Sequence, residues 1–362
     1  MIGSERDPPL TQSGIRNWLT SVIEGASRIE ISEVTTPSAN GGSSETLLFD
    51  ATWWRGSRRE RQGFALRVRP TGHTVFLEPR FEEQYRLLDA LGNQTEVPVP
   101  RVLYYESDPS YLGGPFIAME KIEGRVPPDS PPHSVAGWLK EAGPAAQEEL
   151  WWSGLETMAG VHRVDPEAVG LSFLDRPTRG ASGFDQELDY YREFYEWSHA
   201  GIRSPTIEAA FEWLGAHRPA DEPQARLCWG CARIGNMIFD GFACRAVLDW
   251  EMAWLGDPTS DLCRWLWSDR FFSEGIGGSR LPGFPSRDKT IARWEDLVGR
   301  HARSLAVYDV FAGLRTCVIG LRIGMLNAAA AKAVPDPDVL TNTPGTRLLA
   351  RVLTEADGGA LC

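Results

Sequence analysis

Four prolines in six residues, PPDSPP at 127–132, break this chain in two. Proline fixes φ and lacks an amide hydrogen, so such a run continues neither a helix nor a central strand. The hydrophobic period differs on its two sides. Before it, TQSGIRNWLTSVIE (11–24) places Ile15, Trp18, Leu19 and Ile23 near helical spacing, with Ser13 as the candidate cap. Ile29 to Val34, Thr46 to Trp54 and Gly63 to Arg69 then alternate or are β-branched, with Gly/Ser or charged turns between them, the pattern of an antiparallel sheet. A helix from about Pro79 to Leu91 interrupts the strands, and VPVPRVLYYE and PFIAMEKIEG supply more. After the prolines helical spacing dominates: Glu148 to His162, Asp185 to Gly201, Ile207 to Ala216, Ser260 to Ser268, Ser286 to Tyr308 and Val310 to Ala331. The expected class is α+β, with a small antiparallel-sheet lobe over 1–125 and a larger helical lobe over 126–362.

At 362 residues with 42% apolar and 24% charged side chains, the chain has ordinary globular composition. The formal charge of -12 argues against a nucleic-acid footprint or docking on an anionic membrane. MIGSERDPPL has charges and prolines where an export leader needs an apolar core, and Thr316 to Ala331 carries Arg322 and is too short to span a bilayer. Six scattered cysteines fit a reducing compartment, so the expected location is cytoplasmic.

The chemistry concentrates in LCWGCARIGNMIFDGFACRAVLDWEMAWLGDP, residues 227–258, which reads as loop, strand, loop. Asn236 and, thirteen residues on, Asp249 pair an amide oxygen with a carboxylate, the hard donors that Mg2+ prefers. Kinases place a catalytic Asp five residues before such an Asn, and a second magnesium Asp on the next strand turn. Here that first position is Cys231. Cys228 and Cys231 also spell CxxC, but ARIGNMIFD is a poor helix start, which disfavours a dithiol redox site. A zinc site with Cys244 and Cys263 is disfavoured because that second pair is widely split.

In order along the chain stand VPVPRVLYYE, PFIAMEKIEGRVPPD, GVHRVDPEAVGL, WGC with Asn236, Leu248-Asp249-Trp250-Glu251, and Gly256-Asp257-Pro258 followed by Asp261-Leu262. These resemble the aminoglycoside phosphotransferase family, in the branch of protein-kinase-like small-molecule kinases also found fused to acyl-CoA dehydrogenases. The resemblance covers roughly residues 12–330 and implies a two-lobed protein-kinase-like fold. It implies ATP, or another nucleoside triphosphate, with Mg2+ held by Asn236 and Asp249, and a small-molecule hydroxyl acceptor. It further assigns the phosphates to the turn Gly41, Gly42, Ser43 and Ser44 and to Arg67, which stands where the family carries Lys. The helix acid that pairs with that Lys aligns with Gln84, and Trp229 stands in a packing position usually held by His.

Cys231 is the main departure, because a thiol is mostly protonated at neutral pH and sulfur accepts hydrogen bonds poorly. Losing a positioned base costs roughly 100 to 10,000-fold in rate. Three accounts remain open: a hydroxyl kinase impaired at one position, a kinase fold repurposed for chemistry at the thiol, and a pseudokinase that only binds. Asp261 is expected to support the loop backbone, Asp257 and Glu251 to lie behind the site, and His162 to be a packed core residue. Arg233 is expected either on phosphate or paired with Asp257. Tyr190, Tyr191, Phe194, Trp197, Ile319 and Met325 lie in the segments expected to build the acceptor pocket, and suggest an acceptor with hydrophobic surface.

Overall fold

The computed structural model describes residues 7–37, 45–70, 72, 74–219 and 224–359. Two compact units divide the chain: residues up to Asn93 together with Val99–Glu123, and Gln94–Pro98 together with Gly124 onward.

The first unit opens with helix α1 (Pro8–Val22). Its cap is Asp7, not Ser13: the Asp7 carboxylate accepts the Leu10 amide at 3.1 Å, and Pro8 fills a first-turn position whose amide has no helical partner. Strands β1 (Arg28–Ile31), β2 (Glu45–Arg55) and β3 (Arg58–Val68), helix α2 (Phe81–Gln94), and strands β4 (Val102–Glu106) and β5 (Phe116–Glu120) follow. The strands form one antiparallel sheet in the order β1-β2-β3-β5-β4. Period-two alternation puts Leu47, Phe49, Phe64, Leu66 and Val68 in one core with Ile15, Trp18 and Leu19 of α1. Trp18 meets Phe116 edge-on, with ring centres 5.0 Å apart. The same alternation turns Arg67 to the other face of β3, opposite Thr46 and Ile117. Gln84 is buried in α2 and its amide donates to the Pro79 carbonyl at 2.8 Å, holding the helix start.

The second unit contains α3 (Trp138–Glu141), α4 (Pro144–His162), α5 (Gly183–Ser198), α6 (Pro205–Ala216), β6 (Arg226–Cys228), β7 (Met237–Asp240), β8 (Ala243–Val247) and β9 (Trp254–Gly256). Helices α7 (Thr259–Phe271), α8 (Arg287–Val298), α9 (Leu305–Ala330), α10 (Pro337–Thr341) and α11 (Pro344–Asp357) complete it. The expected helix Ser286 to Tyr308 is two helices. Gly299 adopts φ 71 and its amide donates to the Glu295 carbonyl at 2.8 Å, closing α8 with a left-handed cap, and α9 starts only at Leu305. Helix α11, absent from the sequence expectation, is set by a capping box at Thr343 and by Pro344, and it buries Leu348, Leu349 and Val352. Two antiparallel pairs, β6 with β9 and β7 with β8, lie among these helices and carry the residues between 226 and 256.

Candidate active site

Pairing of β7 with β8 folds the chain back so that Asp249 returns to Asn236. The Leu248 amide donates to the Asn236 carbonyl at 2.8 Å, locking the two loops together. The Asn236 side-chain amide donates through Nδ2 to the Cys231 carbonyl at 3.0 Å and to Asp249 Oδ2 at 3.3 Å. Both bonds use the nitrogen, so the network assigns the amide orientation and leaves Oδ1 as an acceptor beside the Asp249 carboxylate. Asp249 itself has φ 62, a left-handed conformation that Asp tolerates better than most residues. Cys231, Asn236 and Asp249 are therefore one constellation, as their spacing requires.

The backbone that presents Cys231 is pinned from two sides. Gly230 has φ +83, and a Cβ there would lie 1.9 Å from the Met252 carbonyl oxygen, so only glycine fits. From below, the fully buried Asp261 of α7 accepts the Trp229 amide on Oδ2 at 2.6 Å and the Gly230 amide on Oδ1 at 2.8 Å. His162 Nε2 lies 3.1 Å from the same Oδ2, and Trp294 Nε1 donates to His162 Nδ1 at 3.0 Å. An indole only donates, so His162 Nδ1 accepts, and the neutral ring's proton sits on Nε2 and is given to Asp261. Trp229 is buried and donates from its indole to the Leu248 carbonyl at 2.8 Å, which ties the two loops again.

Burial pushes the Cys231 thiol up, and the Asp249 carboxylate pushes it further; Arg264, Arg233 and Arg315 oppose this without cancelling it. The side chain is 7% exposed. A thiol so held stays protonated at neutral pH and is a poor nucleophile. Cys228 and Cys231 are both free, and Cys228 lies at the end of β6 before a loop, not at a helix start. Among the described residues no three His, Cys, Asp or Glu side chains gather into a metal cage.

Arg233 does not pair with Asp257; it bonds Asp129, Nη1 lying 2.6 and 2.8 Å from the two carboxylate oxygens. Asp257 is already engaged at the start of α7, accepting the Thr259 amide at 2.9 Å and its hydroxyl at 2.8 Å. Tyr190, Tyr191 and Phe194 are buried in the core of this unit, where Tyr191 meets Phe311 and Arg315. They therefore offer an acceptor little surface. Trp197 is exposed, with the Arg322 guanidinium 3.9 Å over its ring. Arg67 belongs to the first unit, and Gly41, Gly42, Ser43 and Ser44 lie outside the described residues. Sequence reasoning missed Asp129, Trp294 and Arg264. Arg264 alone had a local signal, since it follows Asp261 by three residues and so neighbours it on α7.

Acyl-CoA dehydrogenase family member 11 of Gallus gallus is 31% identical over 56% of this chain and 24% of its own length. The chain thus spans about a quarter of the curated relatives it matches. A solved Ralstonia eutropha structure assigned as an aminoglycoside phosphotransferase superposes with a TM-score of 0.71 at 22% identity, covering 96% of this chain and 98% of that one. A thermostable mutant of aminoglycoside phosphotransferase APH(4)-Ia, in a ternary complex with AMP-PNP and hygromycin B, gives 0.55 at 15% identity over 96% and 99%. Residues 47–296 match the sequence pattern of the phosphotransferase enzyme family abbreviated APH, and this chain, with its kinase-like fold, belongs to that family.

Proposed function

We propose that this chain binds a magnesium–nucleotide, ATP in the first instance, and transfers its terminal phosphoryl group to a hydroxyl of a small molecule. The observation that carries the reading is the Asn236 amide, whose nitrogen bonds both the Cys231 carbonyl and Asp249 Oδ2, so that the amide group and the carboxylate lie side by side and Asn236 Oδ1 takes part in neither bond. Amide and carboxylate oxygens are the donors that magnesium takes, so the residues present fit the ion. When bound, magnesium would neutralise charge on the phosphate oxygens. Arg67, with the turn at Gly41, Gly42, Ser43 and Ser44, is assigned to the phosphates by family resemblance, and Arg offers them a planar two-point fork. The relative crystallised with AMP-PNP and hygromycin B supports a nucleotide and a small hydroxylated partner as the two ligands.

Cys231 occupies the place of the acid that would orient the acceptor hydroxyl. Its raised thiol and low exposure speak against a thiolate nucleophile and for a site short of its base. Calorimetric titration with AMP-PNP tests the nucleotide site. Heat should appear only with magnesium and should vanish in Asp249→Ala and Asn236→Ala. Absence of magnesium-dependent heat at millimolar nucleotide, with the protein folded, would remove the phosphotransferase reading.

A further inference from the structure

The proline-rich stretch 127–132 lies wholly in the second unit and is bonded into it at both ends. Arg125 and Phe239 of β7 exchange two backbone hydrogen bonds of 2.8 Å each, and the Ser134 hydroxyl donates to the Phe272 carbonyl just past α7. Between these anchors the His133 amide donates to the Pro128 carbonyl at 2.9 Å, and the prolines fix φ. Asp129 therefore stands on a stiff segment, and both its oxygens reach Arg233 Nη1 at 2.6 and 2.8 Å.

Arg233 begins the turn that presents Asn236. Its backbone is extended, it caps the single 3-10 turn Ile234–Asn236, and its carbonyl accepts the Asn236 amide at 3.0 Å. A line of contacts thus runs from the Asp129 carboxylate through the Arg233 side chain and carbonyl to Asn236, whose own side chain bonds Asp249 at 3.3 Å. Gly235, inside the turn, lies against the ion pair: a Cβ there would be 2.5 Å from Arg233 Nη1 and 3.1 Å from Asp129 Oδ1. Its φ is outside the left-handed region, so the pair, and not the backbone, asks for glycine. The Asp129 side chain is 40% exposed and that of Arg233 17%, and pairs open to water add little to folding stability. What this one does is fix where a loop sits.

We propose that Asp129 is a positioning residue of the candidate site: by holding Arg233 it fixes the turn Ile234–Asn236 and sets how tightly Asn236 and Asp249 take magnesium. The magnesium clause rests on the phosphotransferase reading above, whereas the hold on the turn stands on the contacts alone. A direct role for Arg233 on phosphate would instead make Asp129 dispensable.

Two measurements test this. The first is amide hydrogen exchange at Asn236, read by NMR without nucleotide. Asp129→Asn removes the acid's charge, Arg233→Gln removes its partner, and Gly235→Ala pushes the pair aside with both charges kept. Each should speed exchange of the Asn236 amide by roughly tenfold or more, the loosening that one lost charge-assisted bond allows, while the amides of α4 keep their wild-type rates. Asp129→Asn and Arg233→Gln together should do no more than either alone, since both break one contact. Unchanged exchange in Asp129→Asn and Gly235→Ala, effects that multiply in the double variant, or an equal rise in α4 would overturn the positioning role. Should Arg233→Gln fail to fold, Asp129→Asn and Gly235→Ala still decide. The second titrates magnesium at fixed AMP-PNP by calorimetry. Half-saturation in Asp129→Asn should need roughly tenfold more magnesium, the usual effect of losing a group behind a metal ligand. A wild-type magnesium requirement in Asp129→Asn, with Arg233→Gln impaired, would put Arg233 on the ligand itself and sink the proposal. Wild-type protein that takes no magnesium–nucleotide, yet shows the expected exchange in its variants, would overturn the phosphotransferase reading and leave Asp129 as the residue that fixes the turn.

Discussion

Removing the Asp261 carboxylate should cost more stability than any other single change to a polar side chain around the candidate site. Three buried donors converge on it: the Trp229 amide at 2.6 Å, the Gly230 amide at 2.8 Å and His162 Nε2 at 3.1 Å. Asp261→Ala leaves all three without an acceptor, and at about 1–3 kcal/mol for each orphaned group the loss is on the order of 5 kcal/mol. Asp261→Asn behaves differently. Its carbonyl oxygen can take the Oδ2 position and keep Trp229 and His162, while its NH2 group faces only the Gly230 amide, so about 2–3 kcal/mol is expected from one lost bond and one donor set against another. Trp294→Phe is milder still, since it leaves a single acceptor, His162 Nδ1, unmet. Urea unfolding read by tryptophan fluorescence and by far-ultraviolet circular dichroism measures all three midpoints. The order Ala, then Asn, then the Trp294 variant is the test. Asp261→Ala within about 1 kcal/mol of wild type, or Asp261→Asn as costly as Asp261→Ala, would show that the count of satisfied donors does not hold this loop.

Gly230→Ala should destabilise by about 3 kcal/mol and weaken nucleotide binding, because left-handed strain adds to a Cβ placed 1.9 Å from the Met252 oxygen. Gly241→Ala is the control; its φ is also positive, at +60, but nothing lies within 4 Å of the added Cβ, so about 1 kcal/mol is expected by urea unfolding, and equal losses would refute the clash. Stability should also fall at alkaline pH. Burial raises the Cys317 thiol well above its ordinary value, so above about pH 8.5 the unfolded chain sheds this proton while the folded one keeps it. That contribution is fully present below the unfolded value and declines as pH rises. Cys317→Ala should therefore flatten the fall in unfolding free energy by up to about 1.4 kcal/mol per pH unit near pH 9 to 10, and an unchanged slope would count against the raised thiol.

The sheet was legible because its information is local. Leu47, Phe49, Phe64, Leu66 and Val68 alternate along two strands, and one face needs one cover, which α1 provides through Ile15, Trp18 and Leu19. The break between α8 and α9 was harder. A lone glycine inside a helical pattern is tolerated often enough that Gly299 did not announce a stop, and its left-handed cap shows only in the backbone. Helix α11 lies beyond the broken stretch AVPDPD, although Thr343 and Pro344 are ordinary start signals.

The site divides along the same line. Asn236 and Asp249 could be matched because a short hairpin fixes their spacing, and the hairpin is written in the apolar residues of β7 and β8. Arg233 and Asp129 are 104 residues apart, and no local pattern links a side chain to a partner at that distance. Cys231 is the instructive case. From the sequence it reads as a missing negative charge; the fold adds that the side chain is buried and that burial together with the Asp249 carboxylate raises its thiol, so the position holds a neutral group and nothing on that side chain replaces the charge that is lost.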